Sequence, residues 1–366
     1  MCRTQWIANC ACLVGVLLGQ VVLRAEMRNL DATADTTVLQ TLGDGTVNSD
    51  HAFKDLTEST PNLPLAVRSH LQTVDLATFS LTSGTSTAVF SDPRTSQEDN
   101  PREFAVGATL FSFDPSITYG AVARAVEART VAFTASEIGE PDGTALQVTS
   151  HFFLGGYLAV WGDLGKSAGT SSVLISIRIE QSRSQDASPF VLMDAHLELS
   201  HDSNGRPVLT ADGGLSVDNV VLDDTLGSVI PLGQTYLVTI PEMTLPYRYG
   251  ANVGEEFTLK AEVQCRLANQ PFTGAGASFG RPLDDFLAEI ADAIGGPLSN
   301  ASTTALARSS ARQAIKPLSI QKDTTVEVVR PERPFAGLSA CGGVGIEALL
   351  FSGAFPAMLW MVRRRP

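Results

Sequence analysis

The chain has 366 residues, of which 44% are hydrophobic and 18% are charged, and its formal net charge is −13. The charged fraction is below the quarter that is typical of soluble domains, so Ser, Thr, Asn and Gly must supply much of the polar surface. Basic residues do not cluster before the last few positions. This argues against nucleic-acid binding, because neutralising phosphates requires clustered positive charge.

The first 25 residues have the pattern of a secretory signal peptide. Arg3 supplies a positive start, residues 11–19 form an uncharged apolar stretch, and Ala25 offers a small residue for cleavage. These features predict export, with the rest of the chain on the non-cytoplasmic side. An uncleaved N-terminal anchor is the alternative, and Cys10 and Cys12 leave a lipoprotein open.

The remaining chain divides into three segments. Residues 26–64 are polar and contain few aromatic side chains, which predicts a flexible lead-in. Residues 65–330 form the body, as one or two β modules, and residues 331–366 form a hydrophobic C-terminal segment.

Three segments of the body carry a period-two alternation between apolar and polar residues, at 173–180, 191–199 and 256–267. A period of two is typical of strands that are half buried. Sheets with one dry and one wet face are usually antiparallel. Weaker patterns predict further strands at 71–81, 104–113, 131–135, 146–161, 208–211, 236–240 and 325–329.

Turn residues and one amphipathic stretch complete the expected fold. Asn204 and Gly205 are expected to close a hairpin, and residues 284–294 carry an apolar stripe that predicts a helix. Residues 121–129 fit either a helix or a strand. Many short strands separated by turns predict an all-β fold, an antiparallel β-sandwich or jelly-roll-like body with one short helix.

The C-terminal segment is expected to form a membrane-spanning helix. Residues 335–362 contain a single charge, Glu347, and are long enough to cross a bilayer core of roughly 30 Å. Arg363, Arg364 and Arg365 follow directly and favour the cytoplasmic side.

This arrangement resembles the tripartite sorting tails of bacterial envelope proteins of the PEP-CTERM type. Pro331, Glu332 and Pro334 resemble the short motif of those tails, with an arginine inserted, and Cys341 and Gly342 resemble the motif of related tails. The resemblance implies that a membrane protease cuts the tail and leaves the body attached to the surface or released. A plain transmembrane anchor is the alternative.

Three aromatic residues are candidates for ligand binding. Tyr247 and Tyr249 alternate onto one face of a strand, and Trp161 ends another. Exposed rings of this kind stack on sugars, which indicates a lectin-like module and a surface polysaccharide as the partner. Packing in the core is the alternative.

Oxygen-rich turns offer a candidate calcium site at Asp202, Asn204 and Asp212, since calcium prefers several oxygen ligands. Ordinary turn capping is the alternative, and no other cofactor is indicated.

The remaining motifs carry little chemistry. The glycines of residues 162–167 resemble a phosphate-binding loop only superficially, because a strand and not a helix is predicted to follow. Cys265, the single cysteine of the body, falls on the inward side of its strand and is expected to be a buried, inert thiol. Glu198 and Glu262 would support a jelly-roll hydrolase only if they lay about 5–10 Å apart.

The sequence therefore favours an exported structural or adhesive protein of the cell envelope without an evident catalytic site, with a lectin-like module and a hydrolase as alternatives.

Overall fold

The computed structural model describes residues 26–57, 65–75, 77, 80–91, 103–167, 169–224, 233–293, 319–320 and 324–330. The described residues up to Val329 belong to one compact unit. The predicted signal peptide and the predicted C-terminal segment, with its sorting motifs, lie outside the described residues.

Strands make up most of the described chain. They are β1 Glu26–Thr41, β2 Val47–Thr57, β3 Leu65–Asp75, β4 Ser80–Ser91, β5 Glu103–Ser112, β6 Thr118–Ala132, β7 Ala145–Gly162, β8 Ser172–Ser182, β9 Phe190–His201, β10 Pro207–Asp212, β11 Val221–Asp223, β12 Gln234–Asn252, β13 Glu256–Asn269, β14 Thr273–Phe279, β15 Ser319–Ile320 and β16 Thr325–Val328. The helices are α1 Ala135–Ile138 and α2 Leu283–Ala293, and one turn of 3-10 helix covers Val217–Asn219.

The strands form two sheets that pack as a sandwich. The first sheet has the order β10-β9-β8-β13-β6-β1-β2, and the second has the order β11-β12-β7-β14-β5-β4-β3, with β15 and β16 also paired to β7. All of these neighbouring strands are antiparallel. The prediction of an antiparallel all-β fold is confirmed.

The core lies between the facing sides of the two sheets. Along β13 the odd-numbered residues from Phe257 to Leu267 are buried, and along β8 Val173, Ile175, Ile177 and Ile179 are buried. Burial of apolar surface at about 25 cal/mol per Å² is the main force that holds such sheets together. The three strongest strand predictions are therefore confirmed. Their faces are assigned correctly except at Val191, which is 39% exposed beside an irregularity in the pairing of β8 with β9.

Helix α2 covers part of the outer side of the second sheet. Phe286 and Ile290 on its apolar stripe pack with Phe111, Tyr157 and Trp161 in a second buried cluster. The predicted helix over 284–294 is confirmed, and its apolar stripe explains why the middle of the second sheet is buried on both sides.

The prediction of a flexible lead-in over 26–64 is wrong, since β1 and β2 occupy most of this segment. The inward positions of β1 include Thr36 and Gln40, so their burial does not appear as apolar periodicity. The Thr36 and Ser69 hydroxyls lie 2.7 Å apart, and the Gln40 amide donates to Thr73 at 3.1 Å. Hydrogen bonds between β1 and β3 thus replace apolar contacts on this side of the sandwich.

Two further assignments change. The single strand expected over 71–81 is two strands, because β3 ends at Asp75 and β4 begins at Ser80, and the chain reverses between them. The ambiguous segment 121–129 belongs to β6, where pairing with both β1 and β13 fixes an extended backbone.

Strand β6 also places an ion pair at inward positions of the sandwich. Arg129 donates to Glu127 at 2.8 Å, and the exposed fractions of the two side chains are 13% and 0%. A pair this deeply buried loses most of its hydration, so its stability depends on both partners being present.

Candidate functional site

The three candidate aromatic residues lie in the core. Tyr247 and Tyr249 are 3% and 5% exposed, and Trp161 is fully buried. The rings of Tyr247 and Tyr249 stack with their centroids 6.1 Å apart, and burial raises the pKa of both hydroxyls. A ring can stack on a sugar only where its face is exposed, so these residues are core residues and do not form a sugar platform.

The three candidate calcium ligands do not converge. Asp202 accepts hydrogen bonds from the backbone N–H groups of Asn204 and Arg206, both at 2.8 Å, and these bonds lower the pKa of its carboxyl group. Asp212 lies at the other end of β10, roughly 17 Å away at 3.3–3.4 Å per residue. Within the described ranges no three His, Cys, Asp or Glu side chains are grouped to hold a metal ion. Turn capping accounts for Asp202.

The turn that contains Asp202 is the predicted hairpin between β9 and β10. Gly205 has a φ of 75°, a left-handed conformation that favours glycine. His201 fastens the turn to the preceding loop: Ser171 N–H donates to His201 Nε2 at 2.9 Å, and His201 Nδ1 lies 3.0 Å from the Asp202 carbonyl oxygen. The hairpin prediction is confirmed, and the imidazole has both nitrogens occupied.

The candidate carboxylates of a hydrolase are far apart. Glu198 on β9 lies opposite Leu174 on β8, and Leu174 lies opposite Arg266 on β13. Arg266 is four residues from Glu262 along β13, so the two carboxylates lie roughly 16 Å apart. Glu262 accepts two hydrogen bonds from Arg124, both at 2.8 Å, and this pairing lowers its pKa. These two residues therefore do not form the paired carboxylates of a glycosidase.

A cleft of about 740 Å³ opens at the end of the sandwich where β7 and β9 end and where β10 and β12 begin. We call it the loop-end cleft. It is lined by Gly162, Asp163, Gly165, Lys166, Asn204, Asp224, Gly233, Gln234, Thr235 and Tyr236. Its volume is within the range of about 300–1,000 Å³ that is common for ligand pockets.

Two glycines allow the walls of this cleft to approach each other. Gly162 has a φ of 114°, and a Cβ on it would lie 2.4 Å from the Phe272 carbonyl oxygen. A Cβ on Gly205 would lie 2.5 Å from Gln234 Oε1 and 2.7 Å from the Gly165 backbone nitrogen. Glycine at position 162 brings the end of β7 against the start of β14 in its own sheet. Glycine at position 205 brings the β9–β10 turn of the first sheet against the end of the second sheet.

Several polar side chains of the cleft have no partner within the described part of the protein. Lys166 donates to Asp163 at 2.9 Å, and the Asn204 side chain hydrogen-bonds to the Asp202 carboxyl group. The side chains of Asp224 and Gln234 make no hydrogen bond to another described residue. Thr235 is only 3% exposed, and its hydroxyl also lacks a partner. Unsatisfied buried hydroxyls are rare, and each calls for an explanation.

Most of this cleft is not evident from the sequence. Residues 162–167 and Asn204 stand out in the sequence for other reasons, and the cleft wall includes residues from both. Gln234 and Thr235 do not stand out, because nothing in the local sequence shows that the start of β12 pairs with the end of β7. The strand register was the missing information.

No family model matches the amino-acid sequence, and no curated protein is significantly similar to it. None of the helices in the described ranges is long and apolar enough to cross a membrane.

Proposed function

We propose that the chain is an exported envelope protein whose β-sandwich acts as a non-catalytic structural or adhesive module at the cell surface. The signal-peptide pattern at 1–25 and the apolar, arginine-terminated segment at 331–366 support this proposal. Under this proposal, the C-terminal segment is a membrane-spanning helix or a sorting tail that resembles the PEP-CTERM type.

The position of the loop-end cleft is the observation that carries the proposal. Val329 N–H donates to the Ala145 carbonyl oxygen at 2.9 Å, so the described chain leaves the sandwich beside the first residue of β7. The cleft lies beside Gly162, the last residue of β7, roughly 57 Å away along the strand at 3.3–3.4 Å per residue. A chain anchored through residues after Val329 would carry its cleft at the opposite end of the sandwich, as a surface adhesin requires.

The test is the intact mass of the mature protein recovered from the native cell envelope and from the medium. Loss of residues 1–25 together with the segment after about residue 339 would support both export and processing of a sorting tail. A mass that retains the tail but lacks residues 1–25 would support a plain membrane anchor. A mass that retains both ends, recovered only from the cytoplasm, would refute the proposal.

Carbohydrate binding is the second candidate, and the loop-end cleft favours it. The support no longer comes from Trp161, Tyr247 and Tyr249, which are core residues. It comes from the start of β12, where the Gln234 amide is exposed and the Tyr236 ring is half buried in the cleft wall.

A further inference from the structure

We propose that β2, the last strand of the first sheet, pairs with β2 of a second copy of the chain, antiparallel and with Ala52 on the two-fold axis. The two first sheets would then form one continuous sheet across a dimer. This inference goes beyond the proposed function and does not depend on how the chain is anchored. An open strand edge, exposed apolar side chains along it and charges that complement themselves carry it.

Strand β2 is an open edge of the sandwich. It pairs with β1, and no other strand of the described ranges pairs with it. Strand β3 of the second sheet hydrogen-bonds to both of these strands. The Ser69 hydroxyl of β3 lies 2.7 Å from the Thr36 hydroxyl of β1. His70 N–H of β3 donates to the Asp50 carboxylate of β2 at 2.7 Å. Strand β3 therefore lies beneath β1 and β2 together, which leaves β2 outermost on this side.

The turn between β1 and β2 determines which backbone groups of β2 face outward. Leu42 N–H donates to the Thr46 carbonyl oxygen at 2.8 Å, and Gly45 N–H donates to the Leu42 carbonyl oxygen at 2.9 Å. Hydrogen-bonded positions alternate along an antiparallel pair, and the register of β1 with β2 has no irregularity. The even-numbered residues of β2 therefore bond to β1. The backbone groups of the odd-numbered residues point to the open side.

The odd-numbered positions also carry exposed apolar side chains. Val47 and Phe53 are 56% and 60% exposed on the outer side of the sheet. A long edge strand with exposed apolar residues is a site for strand addition, which native proteins usually prevent with short edges, proline or charged side chains. Strand β10, at the other end of this sheet, has six residues and begins with Pro207. Strand β2 has 11 residues and no proline.

The charges of β2 select a second copy as the partner. Ala52 is the midpoint of β2, so a two-fold axis there overlaps the whole of both strands. It also places Asp50 of each copy opposite Lys54 of the other, and opposite charges that face each other stabilise a strand pair. An axis at position 50 or 54 would bring like charges together, and an axis at His51 or Phe53 would give neither charge a partner. A lysine on an edge usually discourages strand addition, whereas here an identical strand supplies the opposite charge.

The same register covers the exposed rings. Phe53 of each copy lies directly opposite His51 of the other, and both positions have backbone groups that point to the open side. The two Phe53 rings become diagonal neighbours, a separation that aromatic side chains can bridge. One register thus pairs the free backbone groups, the charges and the aromatic rings.

The experiment uses the full chain in detergent, which keeps its apolar terminal segments from associating, and looks for a disulfide between two copies. Ala52→Cys places two thiols at the axis, in a pair whose Cα atoms would lie about 4.5 Å apart, close enough for a disulfide. The matched control is Asn48→Cys, an exposed position of the same strand whose thiols would lie roughly 27 Å apart. After mild oxidation, we expect a linked dimer on non-reducing gels with Ala52→Cys and only the level of the parent chain with Asn48→Cys.

A charge exchange in the Ala52→Cys background tests the register. Asp50→Lys makes both facing positions positive and Lys54→Asp makes both negative, so each variant alone should form the linked dimer about tenfold less readily, because like charges oppose each other. Mixing the two variants restores opposite charges at both positions and should restore the linked dimer. The matched control is Lys166→Asp, an exposed lysine outside β2, which should link like the Ala52→Cys parent.

Three outcomes would overturn the inference. These are the absence of a linked dimer with Ala52→Cys, equal linkage with Asn48→Cys, and a mixture of the charge variants that links no better than either variant alone. Lys54→Asp keeps the contact between Asp50 and His70, so it tests the pairing even if Asp50→Lys fails to fold. None of these outcomes bears on the mass measurement, so the dimer can fail while the proposed export and surface location stand.

Discussion

The ion pair between Glu127 and Arg129 gives a prediction whose size follows from the structure. Glu127→Ala removes a carboxylate that is 0% exposed and leaves an Arg129 guanidinium that is only 13% exposed. Breaking a buried pair by removing one partner costs about 3–5 kcal/mol, because the other charge stays buried without compensation. We expect a loss near the lower end, since Arg129 retains some contact with solvent.

Urea unfolding of the parent and the variants would measure this loss as a change in the free energy of unfolding. The comparison is Lys166→Ala, which breaks a pair of nearly the same length, 2.9 Å, whose side chains are 82% and 48% exposed. Lys166→Ala should lower the free energy of unfolding by less than about 1 kcal/mol, because the pair that it breaks is exposed. The double replacement Glu127→Leu with Arg129→Met should recover most of the stability, because apolar residues often replace a buried pair at no net cost.

Two results would contradict this reasoning. A loss of less than about 1 kcal/mol in Glu127→Ala would mean that the remaining charge is well solvated. A double replacement as unstable as Glu127→Ala would mean that packing volume, and not an unpaired charge, determines the effect.

Three further predictions concern other parts of the sandwich. The Arg124 hydrogen bonds lower the pKa of Glu262, so the stabilisation from this pair is present above the ordinary carboxyl pKa of about 4.5 and is lost as the pH falls through the lower folded value. Glu262→Gln should therefore cost about 1 kcal/mol at pH 7 and progressively less as the pH is lowered below 4.5, in a series of urea titrations. Burial raises the pKa of the Cys265 thiol, so peptide mapping after iodoacetamide treatment should find Cys265 labelled only in denaturant, and labelling in the native protein would show that the core opens there. His201→Phe should cost about 1–3 kcal/mol because Ser171 N–H loses its acceptor, and a thermal unfolding scan that shows no shift would mean that another acceptor replaces the imidazole.

How far the sequence predicts the fold depends on what each strand buries. Strand β13 was evident because Phe257, Leu259 and Val263 alternate with charged residues. Strand β1 was missed because its inward residues include Thr36 and Gln40, which look solvated until Ser69 and Thr73 are placed opposite them. A polar side chain at an inward position gives no periodic signal, so its burial becomes visible only with the partner strand.

The candidate site shows the same limit more strongly. Two tyrosines that share one side of a strand can belong either to a core or to a ligand platform, so Tyr247 and Tyr249 were candidates until the structure placed them in the core. The cleft combines Asp163, Asn204 and Gln234, which are distant in the chain. Their proximity follows from the register of β7 with β12 and from glycines that permit close backbone contact.

Strand β7 would have a mechanical consequence if the protein were held at one end and engaged at the other, as proposed. It runs without interruption from Ala145 to Gly162, and β16 pairs with its first residues, Val328 opposite Leu146. A pull on the chain beyond Val328 that is opposed at the far end of β7 would act along the strands, while the hydrogen bonds of an antiparallel pair are perpendicular to them. Tension would therefore load the bonds between β16 and β7 together, in shear, and would not open them one after another.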